Sequence, residues 1–294
     1  MATVRVSVPA TSANLGPGFD CLGLALSLRN RVEVSPASRS HVIIHGEGAG
    51  LLPESEDNLV RWAMQHLASY TGKALPPVQV VQHNAIPVGS GLGSSAAAVV
   101  AGLLAGNELL GASLPLPLLV ALATELEGHG DNVAAALYGE LALVAGDEVI
   151  SLPVAPLQAV VVLPTVALST RAARAALPAS VPHADAVFNL GQLGLLLQAL
   201  AQGDHAMLAR AMVDRLHQPY RIRLIPGMET ALAAAQAAGA AACLSGAGPS
   251  LIAFAPSGHE ALARAISAAF AQAGLFSRTW ILASDSRGAE VTCH

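Results

Sequence analysis

The chain has 294 residues, of which 53% are hydrophobic and 12% are charged, and its formal net charge at pH 7 is −5. A chain of this size and composition can bury one large core or two modest ones, which excludes extended disorder. Lys73 is the only lysine and no basic run is present, so we expect no nucleic-acid partner.

The first half of the chain alternates short apolar strands with apolar helices. Strands are predicted at residues 4–8, 22–28, 32–34, 41–45, 78–81, 141–144 and 149–152, the last two as a hairpin. Helices are predicted at residues 58–70, 96–110, 116–127 and 133–137. Pro153 and Pro156 then mark a domain boundary, which divides the chain into residues 1–155 and 156–294.

The second half continues the mixture of helices and strands. Strands are predicted at residues 160–163, 241–245, 251–255 and 277–282. Helices are predicted at residues 172–176, 188–201, 205–217, 231–238 and 259–273. Because helices alternate with strands and several strands form hairpins, the pattern predicts the α+β class.

The apolar runs and the cysteines of the chain also indicate its cellular compartment. The apolar runs are interrupted before about 18 residues and no charged, apolar, small-residue leader opens the chain, so we expect no membrane span and a cytoplasmic protein. Cys21, Cys243 and Cys293 are odd in number and widely spaced. Such cysteines are typical of free thiols in a reducing compartment.

A glycine-rich segment, P-V-G-S-G-L-G-S-S-A-A-A at residues 87–98, joins the strand at 78–81 to an apolar helix. Glycine takes positive φ without a Cβ penalty, so Gly89, Gly91 and Gly93 can wrap phosphates at the positive end of the helix. The spacing is neither that of the Walker loop nor that of the dinucleotide fingerprint. Taken alone, the segment is equally compatible with a flexible turn before a serine N-cap.

The segment resembles motif 2 of the GHMP kinase superfamily. Residues 9–23, P-A-T-S-A-N-L-G-P-G-F-D-C-L-G, resemble motif 1 of that family, and residues 244–250, L-S-G-A-G-P-S, resemble motif 3. With E-G-H-G-D-N at residues 127–132, the resemblance is to the homoserine kinase form. It implies a two-domain fold, with an N-terminal nucleotide-binding α+β domain and a C-terminal ferredoxin-like α+β domain. It further implies ATP and Mg²⁺ as cofactors, L-homoserine as the small-molecule substrate, and a homodimer.

The resemblance assigns the nucleotide and metal sites. Glu127 would hold the metal together with Ser94 or Ser95, and Glu125 remains an alternative to Glu127 because the spacing to the D-N pair varies in the family. The residues that the resemblance implies for ATP are Pro87, Val88, Gly89, Ser90, Gly91, Leu92, Gly93, Ser94, Ser95, Ala96, Ala97 and Asn58. An N-cap explains Asn58 equally well.

The acceptor site is implied in the same way. Asn132 would orient the hydroxyl and Asp131 would be a weak base, although Asp131 could instead cap a helix. No lysine lies near motif 1, so the strong lysine-aspartate base of mevalonate kinase cannot be built and catalysis would rest on alignment and charge stabilisation. The residues implied for substrate binding are Asn14, Asp20, His129, Thr170, Arg174, Arg221 and Gly246.

The substrate residues fit an amino acid, because arginine receives a carboxylate and aspartate receives an ammonium group. Arg171, Arg223 and His217 are read as structural or surface residues. Two other functions remain open at this point. One is a GHMP kinase for a mevalonate-like or sugar acceptor, which would not need an ammonium receptor. The other is a ligand sensor that keeps the fold without catalysis.

Overall fold

The computed structural model describes residues 3–293 and contains two β-sheets with their packed helices. The strands are β1 Val4–Asn14, β2 Gly18–Pro36, β3 His41–Gly46, β4 Val78–Asn84, β5 Leu141–Ala145, β6 Glu148–Leu152, β7 Gln158–Pro164, β8 Ala241–Leu244, β9 Leu251–Phe254, β10 Ser277–Ala283 and β11 Glu290–Cys293. The helices are α1 Leu59–Thr71, α2 Ser94–Leu109, α3 Leu116–Glu127, α4 Asp131–Tyr138, α5 Thr170–Ala175, α6 His183–Gln202, α7 His205–Ala211, α8 Gln218–Arg221, α9 Met228–Ala237 and α10 His259–Gln272. The predicted α+β class is confirmed.

The first sheet has seven strands, with the order β11-β1-β2-β4-β3 and the β5-β6 hairpin attached to β2. Only β3 and β4 pair in parallel; the other pairs in the described residues are antiparallel. The buried helix α2 packs against β1 and lies close to α1. A Cβ on Gly102 would overlap the carbonyl oxygen of Val60, so glycine permits this close helix contact.

The second sheet has four antiparallel strands in the order β10-β7-β9-β8. The elements β7, α9, β8, β9, α10 and β10 follow one another as β-α-β-β-α-β, which is the ferredoxin-like pattern. The predicted ferredoxin-like second half is therefore present. Helices α5 to α8 are inserted between β7 and α9, and this insertion carries several of the predicted substrate residues.

The hydrophobic core runs across both halves. Leu157, Leu200 and Phe254 belong to the same buried cluster as Val8 and Leu103 of the first half. The last strand, β11, returns to pair with β1 in the first sheet. The boundary between residues 155 and 156 stays a prediction.

One predicted helix is wrong. The helix predicted at residues 205–217 ends at Ala211 in the structure, and the chain is irregular before α8. The carboxylate of Asp214 accepts hydrogen bonds from the backbone N–H groups of Leu216, His217 and Gln218, at 3.1, 2.8 and 2.7 Å. These bonds compete with the helical ladder and turn the chain toward the cleft.

Other differences concern two strands and one short helix. The strands predicted at residues 22–28 and 32–34 form a single strand, β2, and neither helix α8 nor strand β11 is predicted. The remaining predicted elements are present, with ends that differ by a few residues.

Helix α6 is long and apolar enough to cross a membrane by length and composition, and 22% of its apolar window is buried. This is weak evidence for a membrane span, because helices of globular cores pass the same test. Leu196 and Leu200 of α6 lie in the core. Asn189 Nδ2 donates to Asp214 Oδ1 at 2.7 Å, in a buried contact with the following segment.

Candidate active site

A cleft lies where the glycine-rich loop, the turn after α3, the loop after β1 and the inserted helices meet. It brings together these predicted residues: Asn14, Asp20, Gly89, Ser90, Gly91, Gly93, Ser94, Ser95, Ala96, Glu127, His129, Asp131, Asn132, Thr170, Arg174, Arg221 and Gly246. Segments far apart in the chain therefore converge on one site.

The glycine-rich loop has the conformation that its sequence predicts. Gly89, Gly91 and Gly93 have φ of 64, 78 and 69°, and α2 begins at Ser94. A Cβ on Gly93 would overlap Thr11 Oγ1, and a Cβ on Gly91 would overlap the carbonyl oxygen of Ser245. The loop thus carries free N–H groups at the start of a helix, which is an arrangement suited to phosphate.

Five residues predicted for the nucleotide lie outside this cleft. Asn58 and Val88 line an adjoining, more apolar pocket, which shares Gly89, Ser94 and Ser95 with the cleft. Pro87 lines a third cavity together with Val88 and Gly89, while the side chains of Leu92 and Ala97 are buried in the core. The adjoining pocket has the apolar lining that suits a nucleotide base.

Asn58 is the N-cap of α1. Its Oδ1 accepts from Val60 N at 3.0 Å and from Gln82 Nε2 at 2.7 Å, and its Nδ2 donates to the carbonyl oxygen of Pro53 at 3.0 Å. The polar atoms of Asn58 are thus engaged within the protein. Its contact with a base would be made by packing.

The two candidate metal carboxylates have different surroundings. Glu127 ends α3 and accepts a hydrogen bond from Ser95 Oγ at 2.6 Å. Glu125 is exposed and its Oε2 lies 3.7 Å from His66 Nε2, outside the cleft. The pKa of the Glu127 carboxyl is raised above its ordinary value, because the effect of burial is larger than the lowering by the Ser95 hydrogen bond and by His129. The geometry favours Glu127.

The Glu127 and Ser95 oxygens fit a magnesium ion, which takes oxygen ligands from one or two carboxylates and from substrate phosphates. Over residues 3–293, no group of three or more His, Cys, Asp or Glu side chains could hold a metal ion. A metal here would therefore need the phosphates of a nucleotide as further ligands.

The turn after α3 holds a network around Asp131, which is the first residue of α4 and is 2% exposed. Asp131 Oδ1 accepts from Asn132 N at 2.7 Å and from His129 Nδ1 at 3.0 Å. The hydrogen bond to Asp131 raises the pKa of His129. Gly130, not Asp131, occupies the N-cap position, so the capping alternative is not what the structure has.

Thr11 orients the Asn132 amide. Its Oγ1 donates to Asn132 Oδ1 at 2.8 Å, while Asn132 Nδ2 lies 3.4 Å from Asp131 Oδ1. A carboxylate can only accept, so the amino group of the amide faces Asp131 and the oxygen faces Thr11. The amide oxygen is therefore already engaged by a hydroxyl.

At the other end of the cleft, Asp20 and Arg174 are paired. Arg174 Nη1 and Nη2 donate to the two carboxylate oxygens of Asp20, both at 2.8 Å, and this hydrogen bonding raises the pKa of Arg174. Asn14 Oδ1 accepts from Asp20 N and Asn14 Nδ2 donates to the carbonyl oxygen of Gly246, both at 2.9 Å. Motifs 1 and 3 are thereby joined beside the pair.

Arg221 is 1% exposed, yet it forms no ion pair with a carboxylate in the part of the chain that the structure describes. Burial lowers the pKa of its guanidinium, and the nearby Arg174 lowers it further. Its Nε donates to the carbonyl oxygen of Ala173 at 3.3 Å, and its Nη1 lies 3.2 Å from His217 Nδ1. Its Nη1 also donates to the carbonyl oxygen of Gly246 at 3.4 Å, and the charges of Asp20, Asp214 and Asp131 oppose the lowering of its pKa. A buried guanidinium that lines a cleft without a salt bridge is suited to an incoming anion.

Three residues near the cleft were not predicted to take part. Thr11 and Phe19 lie within motif 1, and His217 lies four residues before Arg221 on the same short helical segment. The helical spacing of His217 and Arg221 is the one signal that could have paired them.

Comparison with known proteins identifies the family of the chain. The family models "GHMP kinases N terminal domain" and "GHMP kinases C terminal" match residues 58–140 and 196–272. A homoserine kinase of Moorella thermoacetica is 46% identical over 97% of this chain and 99% of its own, and one of Gloeobacter violaceus is 48% identical over 84% and 86%. The crystal structure of a homoserine kinase from Cytophaga hutchinsonii has a TM-score of 0.88 and 32% identity, and the match covers 99% of this chain and 97% of the other. The chain therefore belongs to the homoserine kinase family of the GHMP kinases.

Proposed function

We propose that the protein transfers the γ-phosphoryl group of ATP to the side-chain hydroxyl of L-homoserine, in the biosynthesis of threonine. The observation that carries this proposal is Arg221, a guanidinium that lines the cleft, is 1% exposed and forms no salt bridge with a carboxylate of residues 3–293, although the charges of Asp20, Asp214 and Asp131 are close enough to oppose the lowering of its pKa by burial. A buried guanidinium without a salt-bridge partner is costly, so a substrate carboxylate is a natural ligand. The naming of relatives as homoserine kinases supports the same substrate.

The amino-acid end of the substrate would lie between the motif 1 loop and the inserted helices. Arg221 and Arg174 would receive the carboxylate, with Thr170 and Gly246 beside it. Asp20 and Asn14 would receive the ammonium group. Because Arg174 and Asp20 are bonded to each other at 2.8 Å, the substrate would enter by inserting its two opposite charges into that pair.

The nucleotide would lie along the glycine-rich loop. The N–H groups of residues 89–91 and 93–95 would bind the phosphates, and the adjoining pocket with Asn58 and Val88 would take the base. Glu127, with Ser94 or Ser95, would hold a magnesium ion, which when bound neutralises phosphate charge during transfer. Glu125, which is exposed and does not line the cleft, would not share the role.

Transfer would rest on alignment and not on a strong base. Asn132 would direct the acceptor hydroxyl through Nδ2, because its Oδ1 accepts from Thr11. Asp131 would be a weak base at most, since its Oδ1 already accepts two hydrogen bonds at 3.0 Å or less. His129 would hold that carboxylate in place. Such positioning accounts for most of the catalysis that phosphoryl transfer needs.

We also propose that the enzyme acts in the cytoplasm as a homodimer, which rests on the family resemblance alone. Light scattering on the purified protein measures the oligomeric state. A mass of about twice the 29.7 kDa chain is expected, and a monomer would contradict the proposal.

The test of function is an acceptor panel. Purified protein is mixed with Mg²⁺ and ATP, and ADP release is followed with L-homoserine, L-serine, L-threonine, mevalonate or galactose. Release that depends on L-homoserine alone is the expected result. Turnover of mevalonate or galactose would assign the protein to another branch of the family, and ATP binding without turnover of any acceptor would favour a ligand sensor.

A further inference from the structure

His217 is a buried imidazole that contacts Arg221 but does not itself line the cleft. It is 0% exposed, its Nε2 lies 2.8 Å from the carbonyl oxygen of Gly16, and its Nδ1 lies 3.2 Å from Arg221 Nη1. A carbonyl can only accept and a guanidinium can only donate. The imidazole must therefore carry its proton on Nε2, accept through Nδ1, and be neutral.

The surroundings of His217 keep it in that state. Burial lowers its pKa, and Arg221 acts in the same direction, whereas Asp214, Asp20 and the hydrogen bond to Gly16 act in the opposite one. Asp214 Oδ2 lies 3.7 Å from His217 Nε2, but the same oxygen accepts from the backbone N–H groups of His217 and Gln218. The carboxylate is thus satisfied without a charged imidazole.

The ring of Phe19 completes the arrangement. It stacks on the His217 ring, with centroids 5.0 Å apart and 23° between the planes, and Arg221 Cζ lies 5.1 Å from its centroid. Arg174 Cζ is 6.0 Å from the same ring. The imidazole and both guanidinium groups therefore pack around one aromatic ring, which favours a single arrangement of the two arginines.

We propose that His217 is the positioning residue that directs Arg221 at the substrate carboxylate, by accepting a hydrogen bond from Arg221 Nη1 through a neutral Nδ1. The inference rests on the proposed function, because it takes Arg221 as the carboxylate receptor. A positioning role differs from a packing role in its consequence. Loss of the His217 imidazole weakens recognition of the substrate carboxylate and leaves the rest of the acceptor site in place.

Two polar variants distinguish the roles of the two imidazole nitrogens. In His217→Gln the terminal amide can still donate near the position of Nε2 but no acceptor remains at Nδ1, whereas in His217→Asn the amide oxygen can replace the Nδ1 acceptor. Each is compared with the unchanged protein on L-homoserine and on 3-aminopropan-1-ol, which is the same acceptor without its carboxylate. Dissociation constants from calorimetry give the same comparison where turnover is slow.

For His217→Gln, we expect the KM for L-homoserine to rise about tenfold, with the constants for 3-aminopropan-1-ol and ATP unchanged within about twofold. His217→Asn should recover most of the loss. His205→Gln, outside the cleft, is the control for a histidine substitution, and urea unfolding shows which variants are folded.

An equal loss for both acceptors, or no loss for either, would overturn the inference. If both variants fail to fold, His217 is needed for structure and the positioning role is rejected. If the unchanged protein does not phosphorylate L-homoserine, the proposed function fails first, and the two failures are distinguishable.

Discussion

Arg174 donates two hydrogen bonds of 2.8 Å to the carboxylate of Asp20, so the residues assigned to opposite charges of one substrate neutralise each other in its absence. The arrangement avoids an unpaired charge in the open cleft. It also gives a zwitterion an advantage over other ligands, because only a ligand with both charges can replace both partners. The proposed selectivity for an amino-acid acceptor would follow from this pair.

Removal of Arg174 is expected to weaken acceptor binding. Arg174→Ala should raise the KM for L-homoserine about 10- to 100-fold, as hydrogen bonds to charged groups contribute about 1.5–3 kcal/mol. Steady-state kinetics measure the effect. Arg171→Ala is the matched control, because Arg171 is exposed on the same short helix and does not line the cleft. Equal effects of the two substitutions would contradict the assignment.

The two carboxylates at the end of α3 can be separated by substitution. Glu127→Gln should lower kcat by about 100-fold or more and raise the magnesium concentration needed for activity, because the amide lacks the negative charge that the carboxylate offers to the cation. Glu125→Gln should have no effect beyond about twofold. A magnesium titration at saturating ATP measures both, and the reverse order would assign the metal to Glu125.

Thr11 should act through Asn132. Thr11→Val removes the hydroxyl that donates to Asn132 Oδ1 at 2.8 Å, so the amide is free to rotate and kcat should fall about tenfold with little change in either KM. Thr11→Ser keeps the hydroxyl and should retain most of the activity. Single-turnover measurements with excess enzyme test the chemical step directly. A loss confined to KM would show that Thr11 serves binding instead.

The buried imidazole of His217 should make the stability of the fold depend on pH. Burial lowers its pKa in the folded protein, so the unfolded chain binds a proton at pH values where the folded protein does not. The free energy of unfolding should therefore fall as pH decreases below the ordinary histidine pKa of about 6.5.

Urea unfolding between pH 7.5 and 5 measures this dependence, at the pH range where histidine titrates. In His217→Gln the fall should be shallower, because one proton-linked group is gone. The raised pKa of His129 acts in the opposite direction, since its contribution is lost as pH rises, but it is common to both proteins and cancels in the difference. Parallel pH profiles would contradict the buried neutral state.

Two loop glycines differ in what surrounds them. Both Gly89 and Gly93 have positive φ, but a Cβ on Gly89 would meet open space whereas a Cβ on Gly93 would overlap Thr11 Oγ1. Gly89→Ala should cost about 1 kcal/mol of unfolding free energy and Gly93→Ala about 3 kcal/mol. Equal costs in urea unfolding would show that Thr11 can move away.

Much of this site can be predicted from the chain because its parts are local. The glycine positions in the phosphate loop, the serines at the start of α2 and the spacing from Glu127 to Asn132 are properties of short segments. Arg174 and Arg221 stand out because arginines are few and lie in recognisable strings. The roles proposed for these residues come from the family resemblance and not from their spacing.

The remaining features depend on contacts between distant segments. The bond between Thr11 and Asn132 joins residues 121 positions apart. The end of α7 depends on Asp214, whose carboxylate is buried and accepts backbone N–H groups instead of facing solvent. Apolar periodicity continues through that segment, so the sequence predicts a helix that is too long and gives no sign of the buried contacts of His217.

The measurement that tests the central claim most directly is ³¹P NMR of the product formed from ATP, Mg²⁺ and L-homoserine by the unchanged protein and by Arg221→Met. The unchanged protein should convert ATP and L-homoserine to ADP and O-phospho-L-homoserine in equal amounts. Arg221→Met, which keeps much of the apolar stem but not the charge, should form the same product only at far higher L-homoserine concentrations. Free phosphate as the only product, or equal dependence on L-homoserine in both proteins, would contradict the account.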